Sequence, residues 1–329
     1  MSEQNKKDQK KEALKNFTRA FPRSDEGFGN RVHGYLYLKY INLYVYNMKM
    51  ALNGLLPEPH EMKEPAGDDN EYVRELVKLG ADHTNMMAGR LETNAYHAKV
   101  VLPEDAKKFF KQEEPVNLPD LPKTIIPYNT ARQILWDAPD EFLLVDCACR
   151  TIRGDKGCNP KDVCFLIGEP WVSFFETQNK DSKHRRITKQ EAMDIIQQQH
   201  EMGNVQSAFF KDACGDRLYG MCNCCTCCCV GLIAHNYAKA PLYAPSGYIR
   251  EVDRSKCQNC GTCAAVCHFY IPSMVDQKMV SDDSLCMGCS VCVDKCPNGA
   301  ISIKRDDPNR AEPLDLDVVI PKYGKPAAK

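Results

Sequence analysis

The sequence predicts an α+β chain in three parts: a helical N-terminal region, a small α/β domain rich in cysteine, and a C-terminal unit built on a repeated cysteine motif. Three observations carry this. Apolar residues recur at helical spacing in the first third. Helix and strand patterns alternate through the middle. All 19 cysteines fall between Cys147 and Cys296. At 329 residues the chain is long enough for two or three cores. The expected divisions are 1–30, 31–122, 123–245, 246–305 and 306–329.

Residues 1–30 read as a flexible tail. Lysines crowd MSEQNKKDQKKEALK, but acidic residues dilute them, which predicts a solvated, frayed start. From Arg31 to Leu56, Tyr37, Ile41, Tyr44, Met48, Ala51 and Leu55 repeat at helical spacing, with Lys39, Asn42, Lys49 and Asn53 opposite. This predicts one amphipathic helix with a tyrosine-rich face, packed on its own domain or turned toward a partner or membrane surface. A Pro- and acid-rich linker, LPEPHEMKEPAGDDN, separates it from a second helix over about 71–91. EEPVNLPDLPKTIIP is a Pro-broken connector.

In the middle domain YNTARQILWDAPD reads as a helix and EFLLVDC as a buried strand. ITKQEAMDIIQQQHEMG carries a capping box, Thr188 with Glu191, and Gly203 is placed to end that helix. NVQSAFF reads as the following strand. The last stretch, 306–329, is polar and Pro-containing and reads as a tail.

A net charge of −1 with no long basic run points away from nucleic acid and anionic membranes as partners. The start has no apolar leader segment, and no later run is long and apolar enough to span a membrane. A cytoplasmic location follows, and there clustered cysteines are metal ligands more readily than disulfides. Neither GxGxxG nor a Walker sequence occurs, so nucleotide binding has no sequence basis. His33, His83, His97 and His184 show no ligand spacing and read as packing or surface residues.

VDRSKCQNCGTCAAVC and SDDSLCMGCSVCVDKC align cysteine on cysteine at an offset of 29 residues. Each is C-x2-C-x2-C-x3-C: Cys257, Cys260, Cys263, Cys267, then Cys286, Cys289, Cys292, Cys296 followed by Pro297. C-x2-C pairs also suit tetrahedral zinc, but two complete four-cysteine runs in tandem argue against it. Residues of about 246–305 resemble the bacterial-type ferredoxin with two [4Fe–4S] clusters. The resemblance implies a ferredoxin-like fold and a crossed ligand assignment. Cys257, Cys260, Cys263 and Cys296 would hold one cluster, and Cys286, Cys289, Cys292 and Cys267 the other. Gly261 and Gly288 supply the backbone freedom such a wrap needs. His268 stands where the family has proline, an imidazole placed to tune a cluster rather than ligate it.

Eleven cysteines remain upstream, in DCACR, GDKGCNPKDVC, an isolated Cys214 and MCNCCTCCCVG, where six of eleven residues are cysteine. The arrangement resembles a DCxCR…CNCCxCCC segment preceding a two-cluster module in anaerobe iron–sulfur proteins of unsettled activity. Buried packing thiols account for two or three of these cysteines at most. The expectation is an additional iron–sulfur cluster, with zinc or redox-active thiols as alternatives. Candidate ligands are Cys149, Cys158, Cys164 and Cys225, with Cys222 and Cys228 as alternates. A helix from about residue 224 would put Cys225 on one face with Cys228 and Cys229. Arg150 is positioned either to donate to a cluster sulfur or to form a surface salt bridge.

The leading function is electron transfer through the two clusters and the additional one, with a redox partner protein, as subunit of or donor to an anaerobic oxidoreductase. The alternative is a reductase acting at the upstream cysteines on a disulfide-type substrate. The heterodisulfide reductases do such chemistry, but their repeated CCG signature is absent and CCCVG is the nearest approach. A redox or iron sensor has no DNA-binding helix-turn-helix pattern behind it.

Overall fold

The computed structural model describes residues 2–21, 24–89 and 96–326. Helices α1 (Glu3–Arg19), α2 (Asp25–Lys39), α3 (Ile41–Leu52) and α4 (Glu71–Gly89) precede β1 (Tyr96–Val100), α5 (Pro103–Lys111), β2 (Val116–Leu118) and β3 (Ile134–Trp136). The middle runs β4 (Phe142–Asp146), α6 (Ala148–Thr151), β5 (Asp162–Ile167), α7 (Trp171–Gln178), β6 (His184–Arg186) and α8 (Lys189–Glu201). It continues through β7 (Val205–Lys211), β8 (Arg217–Cys224), α9 (Val230–Asn236) and β9 (Tyr243–Ala244). The last part holds β10 (Tyr248–Val252), α10 (Thr262–Ala265), β11 (Pro272–Val275), β12 (Lys278–Ser281), α11 (Val291–Asp294), β13 (Ile301–Arg305) and α12 (Leu316–Tyr323). The fold is α+β, with helices leading and a cysteine-rich middle region.

A seven-stranded sheet in the order β6-β4-β5-β8-β7-β1-β9 organises the chain. Every pairing in it is antiparallel except β1 with β9. Alternation along β4 splits its apolar residues between two cores. Leu143 and Val145 face the N-terminal helices, whereas Phe142 and Leu144 face the core that α5, α8 and α12 share. All of β7 is buried, as expected for a strand covered on both faces.

Several expectations give way to the structure. The start is not a loose tail: Ser2 caps α1, and Phe17 stacks on Phe174 with ring centroids 4.2 Å apart. The predicted helix over 31–56 is two, broken at Tyr40, where the backbone leaves helical angles and Asp181 Oδ2 accepts from the Leu43 amide at 2.9 Å. Its expected polar face is also wrong. Asn42 and Lys49 are buried, while Ala51 and Leu55 are exposed. Tertiary packing from both sides overrides the amphipathic pattern. The segment 31–122 is not wholly helical, since β1 lies inside the sheet of the middle domain. ILW, expected within a helix, is strand β3 paired to β2. The 306–329 stretch carries α12, which buries Leu316 and Val319 against the same core as α5.

Other elements form where the sequence places them. Thr188 Oγ1 accepts from the Glu191 amide at 3.2 Å, and α8 ends before Gly203 at φ +92°. The second helix, expected to about 91, runs to Gly89, and its last two expected residues lie outside the described ones. No helix among the described residues is long and apolar enough to cross a membrane.

Candidate functional site

The two cysteine runs fold as near copies. Each ends in a one-turn helix, α10 or α11, entered through a left-handed residue, Gly261 (φ +78°) or Ser290 (φ +62°). Two residues earlier in each run, Asn259 (φ +54°) and Gly288 (φ +64°) are left-handed as well. Such backbone turns inter-cysteine amides inward. At Gly288 a Cβ would run into the Tyr248 carbonyl oxygen, so only glycine fits. Antiparallel β10 and β13 join the two copies, with Arg250 opposite Ile303.

Two cavities sit in this module. Cys257, Cys260, Cys263 and Cys296 line one. Cys267, Cys286, Cys289 and Cys292 line the other. The fourth cysteine of each run thus turns to the cavity of the other run. Four thiols around a small, largely apolar space suit an iron–sulfur cube. Residues 279–302 match the family model described as 4Fe-4S binding domain. That stretch contains Cys286, Cys289, Cys292 and Cys296, and the match supports at least one [4Fe–4S] cluster here. Comparison with curated proteins and with solved structures finds no match.

Upstream, the structure sorts ten of the eleven cysteines into two groups and leaves Cys214 buried apart. The first is a quartet. The sulfurs of Cys158, Cys225 and Cys227 lie within 4.8 Å of one another. Cys228 closes the set, its Sγ accepting from the Cys158 amide at 3.4 Å. Residues 225–229 form this quartet because they turn rather than extend a helix: the amides of Cys228 and Cys229 both return to the Cys225 carbonyl. The helix considered from about 224 does not form, since β8 runs to Cys224 and α9 begins only at Val230.

The second group has six members. Cys147, Cys149, Cys229, Cys224, Cys222 and Cys164 form a circuit of neighbouring thiols that line one cavity. Strand geometry explains it. Cys222 and Cys224 sit two apart on β8 and so share a face, and Phe165 pairs with Met221, which sets Cys164 beside Cys222. Cys147 and Cys229 begin α6 and α9.

The four leading candidate ligands therefore do not meet at one point. Cys158 and Cys225 belong to the quartet with the alternate Cys228. Cys149 and Cys164 belong to the circuit with the alternate Cys222. Cys147, Cys224, Cys227 and Cys229 were missed. The C-x-C alternation in LYGMCNC is a strand signal that places two thiols on one face.

The thiols differ in acidity. Hydrogen bonding from Cys225 holds Cys227 down to about 5 and Cys228 down to about 6, while burial pushes Cys158 up to about 12. In the circuit, hydrogen bonds from Cys149 hold Cys147 and Cys229 well below the usual thiol range. Neighbouring thiols and burial push Cys149, Cys164, Cys222, Cys224 and Cys225 up instead, so in each group only some thiols favour the thiolate form that ligates metal.

Arg150 forms no surface salt bridge. It is buried, donating to Gln199 Oε1 at 3.1 Å and to the Asn223 carbonyl at 3.2 Å. His268 links the systems. Its Nε2 faces the Gly203 carbonyl at 2.7 Å, and its Nδ1 accepts from the Thr226 amide at 3.3 Å. His97 stacks on Tyr128, and His33 contacts Tyr44 and His83, which are packing roles.

Proposed function

We propose that this chain relays single electrons through two [4Fe–4S] clusters in the C-terminal module to a further iron–sulfur centre on Cys158, Cys225, Cys227 and Cys228. One contact carries the reading. His268 follows Cys267 of the second module cavity and hydrogen-bonds Thr226, which stands between Cys225 and Cys227. Each cube, when bound, stores or releases one electron with little change of shape.

The chain's own residues hold this path in place. Asn236 Nδ2 donates to the His268 carbonyl at 2.9 Å, and buried His200 meets Asp294 of α11 at 2.7 Å. Both ties fix the module against the middle domain. The thiol of Cys227 is exposed, which places the edge of the upstream centre where a redox partner protein can approach. Thiolate-held clusters carry negative charge, so the fitting partner presents a basic face. The reducing interior that keeps such thiols free is a cytoplasmic one.

EPR of the reduced, anaerobically purified chain tests this. The wild type should show module signals and a further species, and Cys158→Ala should lose that species alone. Identical spectra for the two proteins would refute the upstream centre.

A further inference from the structure

The six-cysteine circuit is a separate site. It surrounds a cavity whose volume is about 90 Å³, against about 20 Å³ for each of the two module cavities by the same measure. Those two are each lined by the four cysteines of one cube-sized position, so they serve as an internal ruler. The cavity the circuit helps to line is more than four times as large, and it offers six thiols instead of four. Cys225 and Cys228 of the quartet also border it, so the two upstream groups share a wall.

Charge gives an independent indication. Three basic side chains lie buried at or near the cavity, none more than 1% exposed: Arg150 lines it, and Lys49 and Lys211 stand behind its wall. Among the described residues none of them forms a salt bridge, and Asp212 acts on Lys211 at longer range. Lys49 Nζ donates to the Cys228 carbonyl at 2.8 Å. Arg150 donates to neutral oxygens. Lys211 lies over the rings of Tyr37 and Tyr96, at 5.2 and 4.9 Å, and both rings line the cavity. Burying a basic group is costly unless an anion compensates, so these side chains favour negative charge inside the cavity, as a thiolate-held metal–sulfide core would supply.

From the six cavity-lining thiols, the cavity size and the buried basic groups together, we infer that Cys147, Cys149, Cys164, Cys222, Cys224 and Cys229 hold a polynuclear iron–sulfur centre of more than four irons. Iron fits better than zinc. A single zinc takes four ligands at about 2.3 Å and leaves both the extra thiols and most of the cavity unused. The shared wall with the quartet makes this centre the far end of the proposed relay. Its presence does not depend on that relay.

Iron and acid-labile sulfide counts on the full anaerobic chain test it, with two double variants alongside. The wild type should hold more than about sixteen irons, from three cubes and a larger centre. Cys164→Ser/Cys224→Ser should lose more than four irons while keeping the module EPR signals, which also show that the chain has folded. Loss of four irons or fewer, or zinc recovered in place of the lost metal, would overturn the inference. Cys158→Ser/Cys227→Ser separates the two readings. If it loses no iron, the quartet centre fails, and the change between wild type and Cys164→Ser/Cys224→Ser still decides the six-cysteine site. Should Cys164→Ser/Cys224→Ser fail to fold, Mössbauer spectra of wild type decide. Iron beyond the cubes supports the site, and cube iron alone refutes it.

Discussion

His268 and Thr226 join the two cysteine systems: the Thr226 amide donates to His268 Nδ1 at 3.3 Å, and Nε2 lies 2.7 Å from the Gly203 carbonyl. Nδ1 accepts and Nε2 faces a carbonyl, a geometry that suits the tautomer carrying its proton on Nε2. His268→Ala should remove two hydrogen bonds worth about 1 kcal/mol each and lower the unfolding midpoint by several degrees. Iron content should not change. Stopped-flow reduction of the upstream centre should slow while that of the module does not. Equal slowing of both would argue against a joint here.

Gly288 is needed for its conformation and for its missing side chain. Gly288→Ala should cost several kcal/mol, because the Cβ meets the Tyr248 carbonyl at a left-handed position. Gly299→Ala, also left-handed (φ +56°) but open around the Cβ, should cost about 1 kcal/mol. Anaerobic denaturation of the pair measures the difference, and similar losses would contradict the packing described.

Lys49 places a buried ammonium beside the quartet. Lys49→Met should lower the potential of the upstream centre by on the order of 100 mV, since one nearby positive charge no longer favours the reduced state. Lys49→Arg should restore most of it. A redox titration in which Lys49→Met leaves the potential unmoved would show that the charge is not felt there.

Lys99, buried on β1 and donating to the Glu312 carbonyl at 2.8 Å, has its pKa pushed down to about 7 by burial. Its ordinary value is about 10.4, so between these limits the unfolded chain binds more protons than the folded one. Stability should therefore rise with pH from about 7 toward 10 through this group. Lys99→Met should flatten that rise and stabilise the protein at neutral pH. The slope of denaturation free energy against pH, compared between the two proteins, checks the sign. An unchanged slope would mean the amine stays charged throughout.

Local features were legible where the signal was local. The α8 capping box sits within four residues, and the tandem motif sets its geometry by spacing alone. The upstream groups were not legible because pairing of β5 with β8 brings Cys164 and Cys222 together across 58 positions of sequence. Six cysteines in eight positions also hid the strand-to-turn switch at Cys224, which a helical reading ran straight through. Lys49 was assigned outward because periodicity cannot show that a lysine on α3 will reach the carbonyl of Cys228 in the turn over 225–229. The same limit explains β3 and α12, both fixed by distant partners.

Iron and sulfide counting on the chain purified without oxygen tests the central claim, that an iron–sulfur centre exists beyond the C-terminal module. The account requires at least about twelve irons per chain with matching sulfide. A count near eight, with zinc in the upstream cysteines, would contradict it.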